Sequence, residues 1–418
     1  MILAFELTWT GTTHAPGNGA TLATVVRALP EHSVRMYAEA THLAELAADP
    51  GLAGLATLSL HPVAVSTLHR GRTHVVSWRR GLVEFRALRQ ALREALHGGP
   101  ASEPCLILML SATPTAVFAA CLAAWLQGPH VAVQVGLHGN LNEITGWRSR
   151  NPLLRAFDLR AAMVSRWTRR ARYLVLDPSI RAALADILPE AASRTDVIDL
   201  PVNAGERAGQ GGAALVEPVR IGFVGQATHA KGIDIFLRLA ATLRAEYASR
   251  VAFTLVGRAM PGSDLADFAG LADPVGTAHL SRAEFLRRLD SLHYVLLPYR
   301  TGYYDLAASG ALIDAITWGK PVIATDLPIV AQLFARFGDV GHLCADEAGL
   351  LAAMRVILDG MDQTRYATQV AALARAAAAR TPQALAPIYR MLIARTWPAL
   401  VGRGSKGPVY KTRPGLGG

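Results

Sequence analysis

The chain has 418 residues, 51% of them hydrophobic and 18% charged, with a formal net charge of +10. That balance excludes a disordered chain and leaves room for two ordinary domains with separate cores. Its three cysteines, Cys105, Cys121 and Cys344, are isolated and form no C-x-x-C pair. Neither a disulfide framework nor a cysteine zinc site is therefore indicated, and a reducing compartment is the natural setting.

From the N-terminus, Ile2–Phe5 reads as a strand whose apolar run Glu6 interrupts; no basic segment precedes it, so no signal peptide is expected. Gly11 to Gly19 reads as a Gly/Thr/Pro/Asn loop leading into a helix over Ala20–Leu29, followed by a strand at Val34–Tyr37. Val83–Leu96 has apolar residues three and four apart, the mark of a helix. Cys105 to Gln127 carries no charge and is long enough to span a membrane. However, Thr113-Pro114 is a helix start, which divides the stretch into a strand (Leu106–Leu110) and a buried helix (Thr115–Leu126). A strand at Val131–Val135, a helix over Leu153–Ala171, and strands at Leu174–Leu176 and Asp196–Leu200 complete a set of alternating elements. Such alternation means crossover connections, a parallel sheet and a Rossmann-like α/β domain over 1–203.

Residues 204–217 are rich in Gly and Ala without periodicity and read as a linker. Alternation then restarts, with strands at Ile221–Val224, Phe253–Val256, Val295–Leu297 and Val322–Ala324 and helices over Ile233–Tyr247, Arg282–Ser291 and Ala311–Trp318. A second Rossmann-like domain is expected over 218–381, then an amphipathic helix within 382–400 and a disordered tail over 401–418.

The strongest chemical signal is Val-Arg-Ile-Gly-Phe-Val-Gly-Gln-Ala-Thr-His-Ala-Lys-Gly at 219–232. A strand stops at Gly225, and a short polar loop delivers Lys231-Gly232 to a helix start. The glycine allows close backbone approach, helix N–H groups point at an anion, and the ammonium neutralises it, which suits phosphate. Downstream, Leu296-Leu297-Pro298-Tyr299 opens a loop that reaches Ser309-Gly310-Ala311-Leu312-Ile313-Asp314-Ala315 and then Gly319-Lys320-Pro321-Val322-Ile323-Ala324. Together these segments resemble the nucleotide-sugar domain of GT-B glycosyltransferases, in particular the retaining group called family 4. There the first segment is a G-R-x-x-x-x-K-G loop, and the second is E-x7-E followed by G-x-P-V-I-A. The resemblance covers most of 219–330. It implies two Rossmann-like domains facing each other across a cleft, with the nucleotide-diphosphate sugar on the second and the acceptor on the first. It implies no metal and no cofactor, and no D-x-D or His/Cys constellation is present.

Carried over residue by residue, the resemblance gives Lys231 the donor diphosphate, with Gly225 and Gln226 at the strand end. Gln226 stands where the family has arginine, so the missing charge would have to come from Arg258, Arg300 or Lys320. Ser309, Gly310 and Ala311 open a helix whose N–H groups would face the β-phosphate, although a Ser-Gly pair is also an ordinary cap. Asp314 takes the place of the second glutamate, which grips the ribose hydroxyls as an acceptor-only group suits a diol. The first glutamate is replaced by Leu306, and Asp305 beside it is the substitute toward the donor sugar. In the first domain, Gly17-Asn18-Gly19 would lie near the phosphates, and His138 after the strand Val131–Val135 would contact the donor sugar. His14 and Trp147 are lesser candidates.

The expected function is glycosyl transfer from a nucleotide-diphosphate sugar to a sugar or lipid-linked acceptor in bacterial polysaccharide or glycolipid assembly, in the cytoplasm or at the inner membrane face. A degenerate homologue that binds a nucleotide sugar as a partner subunit, and a sugar-nucleotide 2-epimerase, are the rivals. The arginines between 148 and 172, interleaved with Leu153, Leu154, Phe157, Val164 and Trp167, suit an anionic membrane or a solvated helix equally. Nucleic acid is not expected, because no binding motif accompanies the charge.

Overall fold

A computed structural model describes residues 1–68, 72–97, 103–137, 141–202, 214–302 and 304–401. Seven parallel strands build the first sheet: β1 (Ile2–Glu6), β2 (Val34–Ala38), β3 (Leu58–Pro62), β4 (Cys105–Ser111), β5 (Val131–Gly136), β6 (Ala171–Val175) and β7 (Thr195–Val197). Their order is β3-β2-β1-β4-β5-β6-β7. β1 and β4 are buried at every position, as a parallel sheet covered on both faces requires. Helices Trp78–Leu96 and Pro114–Gln127 cover one face, and helices Ala15–Ala28 and Pro382–Thr396 cover the other. The second sheet holds β8 (Val219–Ala227), β9 (Val251–Ala259), β10 (Tyr294–Leu297), β11 (Val322–Thr325) and β12 (Gly341–Cys344), in the order β12-β11-β10-β8-β9.

Strand order reverses between β1 and β4 in the first sheet and between β8 and β10 in the second. At such a switch the following connections leave toward opposite faces, which opens a crevice at the carboxyl ends of the strands. The uncharged stretch 105–127 is β4 plus the helix Pro114–Gln127, and no helix among the described residues is long and apolar enough to cross a membrane.

Two expectations are corrected. The single helix over Leu153–Ala171 is instead three short pieces, Pro152–Arg155, Leu159–Val164 and a 3-10 turn Arg166–Thr168, after which β6 begins. Asn151, Asp158 and Ser165 each accept from a following backbone N–H, so each starts a new turn instead of continuing the last one. Gly17 and Gly19 lie inside the helix Ala15–Ala28 and not in a loop, because Pro16 starts the helix early.

The C-terminal helix Pro382–Thr396 is tied to the first domain. Tyr389 donates to Gln134 at 2.6 Å in the core, Arg390 reaches Glu31 at 2.8 Å and Arg395 reaches Asp196 at 2.6 Å. Further contacts join the two halves: Arg336 pairs with both carboxylate oxygens of Asp199 at 2.8 Å, and Leu306 is buried in the core cluster of the first domain.

Candidate active site

In the second domain the site forms where β8 and β10 diverge. β8 runs on past Gly225 to Ala227, and Gly225 adopts a left-handed φ of 104°. Beside it, Gly257 of β9 is in register with Gly225, and a Cβ at Gly257 would collide with the Gly225 carbonyl. This close pairing keeps the strand ends bare. After β8 a 3-10 turn, His229–Lys231, leads to Gly232, whose φ of 76° suits glycine and whose missing Cβ lets the turn seat on the Pro298 carbonyl at the end of β10. The helix Ile233–Tyr247 that follows has Gly232 at its N-cap, which offers no side-chain cap, and carries Asp234 in its first turn.

Lys231 folds back over Gly225, with its ammonium 3.2 Å from where a Cβ of that glycine would stand. It is half-buried, and burial lowers its pKa while the Asp314 carboxylate partly offsets that. The structure thus brings Lys231 and Asp314 within electrostatic reach of each other at the carboxyl end of the sheet. Asp314 lies on the helix Gly310–Thr317, between buried Leu312 and Ile316.

The Ser309 hydroxyl is occupied: it accepts from Leu312 N–H at 3.1 Å and bonds the Tyr299 hydroxyl at 2.8 Å. It caps the helix and leaves the N–H groups of Gly310 and Ala311 outside that bond. Of the three cations considered for the charge missing at Gln226, two are committed elsewhere. Lys320 is buried and bonds the Asp290 carbonyl at 2.6 Å, and Arg300 holds Asp234 at 2.6 Å. Arg258 fits better: it pairs in register with Gln226, its Nη1 donates to the Thr277 carbonyl at 3.2 Å, and its Nε is buried with no partner among the described residues.

Gly225, Gln226, Gly257 and Arg258 form one wall of a cavity of about 420 Å³ between the domains. His279, Arg282 and Phe285 extend that wall, and Thr12, Pro16, Glu45 and Asp49 of the first domain stand opposite. A space of this size suits a small ligand. Gly17 and Gly19 are not among the lining residues; a Cβ on Gly19 would instead strike the Asp49 carboxylate. What shapes this side is the loop 7–14, which Glu6 organises. Its buried carboxylate accepts from the N–H groups of Thr8 and Trp9 at 2.8 and 3.0 Å, from Asn18 and from Ser111 at the end of β4. Asn18 also bonds His42, which in turn contacts the Gly11 carbonyl at 2.8 Å. His14, in the left-handed region at φ 61°, rests its ring 4.9 Å from that of Trp9.

Asp305 is exposed. Its neighbour Leu306 is buried against the first domain, so this loop serves the domain junction. His138 lies outside the described residues. Trp147 is half-buried and packs on His74, with ring centroids 5.1 Å apart. Sequence reasoning missed Gly257 as a partner of Gly225 and the contribution of Glu45 and Asp49. The first was legible, because Val256-Gly257-Arg258 repeats the pattern of Val224-Gly225-Gln226. The second depends on tertiary packing alone.

Residues 218–360 match the family described as "Glycosyl transferases group 1". No curated protein matches the chain. Among solved structures the chain is similar to a glycosyltransferase from Rickettsia africae ESF-5, at 11% identity and TM-score 0.63 over 97% of this chain and 99% of that one. It is also similar to an E. coli trehalose-6-phosphate protein bound with UDP-2-fluoro glucose, at 10% identity and TM-score 0.62 over 94% and 98%. A third similar structure is WaaG, a glycosyltransferase involved in lipopolysaccharide biosynthesis, at 13% identity and TM-score 0.54 over 94% and 99%. The chain adopts the GT-B fold, and its second domain is a glycosyltransferase domain of group 1.

Proposed function

We propose that the chain transfers a sugar from a nucleotide-diphosphate sugar, held by the second domain, to an acceptor held by the first. The observation that carries this reading is the placement of Lys231 over Gly225, within reach of Asp314, at the switch point between β8 and β10. As the sugar leaves, negative charge grows on the diphosphate. Lys231, Arg258 and the uncapped helix start at Ile233 supply preorganised positive potential there without a metal ion. Asp314 accepts from the ribose hydroxyls and fixes the nucleotide, and domain closure brings the acceptor to the anomeric carbon. Retention of configuration belongs to this reading through the family resemblance. So do a sugar or lipid-linked acceptor in polysaccharide or glycolipid assembly and peripheral contact with an anionic membrane at its cytoplasmic face.

A thermal-shift screen of UDP-, GDP- and ADP-sugars is the direct test, since a ligand at ~100 Kd stabilises by about 2.7 kcal/mol. A shift with one donor, lost in Lys231→Ala, followed by glycoside formation, supports transfer. The burial of Leu306, where the family carries a carboxylate, favours a second reading in which the chain only binds a nucleotide sugar. Tight donor binding with neither hydrolysis nor transfer would select that alternative.

A further inference from the structure

The uncharged run 114–127 reads in sequence as a wholly buried helix, but its C-terminal half leaves one side open. Ala116, Ala120, Ala123 and Ala124 pack on the sheet, whereas Leu122, Trp125 and Leu126 are exposed, Trp125 at 63%. Beside this helix runs the broken segment 152–168, which exposes Leu153, Phe157 and Trp167, the last at 72%. The two are neighbours in space. Phe118 and Phe157 meet edge to face at 5.3 Å, the 3-10 turn Arg166–Thr168 packs on the helix, and Arg170 donates to the Gly128 carbonyl at its end. Large apolar side chains left open together on one layer mark an interaction surface.

The charge around this patch decides what it meets. Arg155, Arg166, Arg169 and Arg170 are exposed beside it, and the Arg166 guanidinium lies 5.0 Å from the centre of the Trp167 ring. Between 148 and 172 the sole acidic residue is Asp158, which is buried as a helix cap, and the helix Pro114–Gln127 carries no charge at all. A second copy of this face would be repelled. Nucleic acid would be drawn to the arginines but gains nothing from exposed leucines. An anionic bilayer satisfies both features: indoles and leucines enter the acyl boundary, and guanidinium groups meet the headgroup phosphates.

We propose that this face, built from Leu122, Trp125, Leu126, Phe157 and Trp167 with its arginine rim, docks the first domain on an anionic lipid surface. This sharpens the peripheral contact in the reading above by naming the surface that makes it. Binding is read without donor or acceptor, so its failure would leave transfer to a water-soluble acceptor untouched, and failure of transfer would leave it standing.

The full chain is sedimented with vesicles of equal phosphatidylglycerol and phosphatidylcholine, and with pure phosphatidylcholine, at low and high salt. Binding to the anionic vesicles alone is expected, with release at high salt. At about fivefold per arginine, Arg166→Gln/Arg169→Gln/Arg170→Gln should lower the partition coefficient on the order of a hundredfold. Tryptophan emission should shift to the blue on binding, and the shift should shrink in Trp125→Phe and Trp167→Phe, whose unchanged melting temperatures show that the fold is intact. No binding at low salt overturns the proposal. So does binding without any change in emission from these two indoles, which is adsorption without insertion. Self-association without lipid, or tighter binding to single-stranded DNA than to the vesicles, also overturns it by assigning the face another partner.

Discussion

Lys231 is held against its own preference. Its ammonium is half-buried at the positive end of a helix dipole, both of which disfavour charge, and Asp314 only partly offsets them. A lysine in that position fits the proposed contact with the donor diphosphate. Because its folded pKa lies below the ordinary 10.5, the unfolded chain holds this proton more tightly. Stability of the empty protein therefore rises with pH between those two values. Donor affinity should run the other way, falling as the ammonium is lost. Lys231→Ala should cut transfer at least about tenfold, the factor that 1.4 kcal/mol represents. Its empty form should melt no lower than wild type, as differential scanning calorimetry would show. Wild-type turnover in the folded variant would remove Lys231 from the site. Asp314→Asn keeps the shape but loses the charged acceptor for the ribose diol. Titration calorimetry should show the same loss of affinity for the donor and for its nucleoside diphosphate, because both carry the ribose. Unchanged affinity with lowered stability would make Asp314 a structural helix residue.

At the scale of elements, the strand ends β8 and β9 touch because two glycines face each other. Gly257→Ala places a methyl against the Gly225 carbonyl, and the strands must part. A cost of about 1–3 kcal/mol by urea unfolding is expected, with weaker donor binding as Gly225 moves. The segment Glu143–Gly146 after β5 makes a pH-dependent case. Burial raises Glu143 from 4.5 to about 7, against a hydrogen bond from Thr73 and the charge of Arg80. The folded state then binds this proton more tightly than the unfolded one. The stability it contributes is complete below about 4.5 and is lost as pH rises through about 7. Amide exchange over 141–147, corrected for its intrinsic rate, should quicken from pH 5 to pH 8 in wild type and stay level in Glu143→Gln. An identical slope in both would clear Glu143. These elements also mark where the sequence was legible. Strands such as β4 and β8, and the helix Ile233–Tyr247, announce themselves by apolar runs and period. The helix Ala40–Ala47, which carries Glu45 into the cleft, is short and has no comparable run. The helix expected over Leu153–Ala171 is replaced by short pieces that start at three side-chain caps, Asn151, Asp158 and Ser165. The Lys231 loop was legible because phosphate chemistry needs those residue types in that order. The burial of Leu306 was not, because a leucine in a loop carries no sign of which domain will cover it.

At the scale of the molecule, the C-terminal helix Pro382–Thr396 belongs by packing to the first domain, which the chain left nearly two hundred residues earlier. Leu385, Tyr389, Leu392 and Ile393 are buried in the same cluster as Leu22, Val25 and Val26 of the helix Ala15–Ala28. The chain therefore crosses between domains twice, and the junction holds the Arg336–Asp199 pair and the bond from Val202 N–H to the Arg380 carbonyl at 3.0 Å. Covalent return through this helix limits how far the domains can part on this side. Deleting residues 382–418 should do more than loosen that junction. Each of the four buried side chains contributes about 1.5–3 kcal/mol by area, which together rivals the whole stability of a typical domain, about 5–15 kcal/mol. Loss of Tyr389 also removes the donor to the Gln134 side-chain oxygen inside β5. The truncated protein should thus keep a cooperative second domain and lose protection in β1, β2 and β4, read by hydrogen exchange. Adding the peptide 382–401 in trans should restore that protection. A truncated chain whose first domain stays fully protected would show that the helix only rests on this surface and stabilises nothing beneath it.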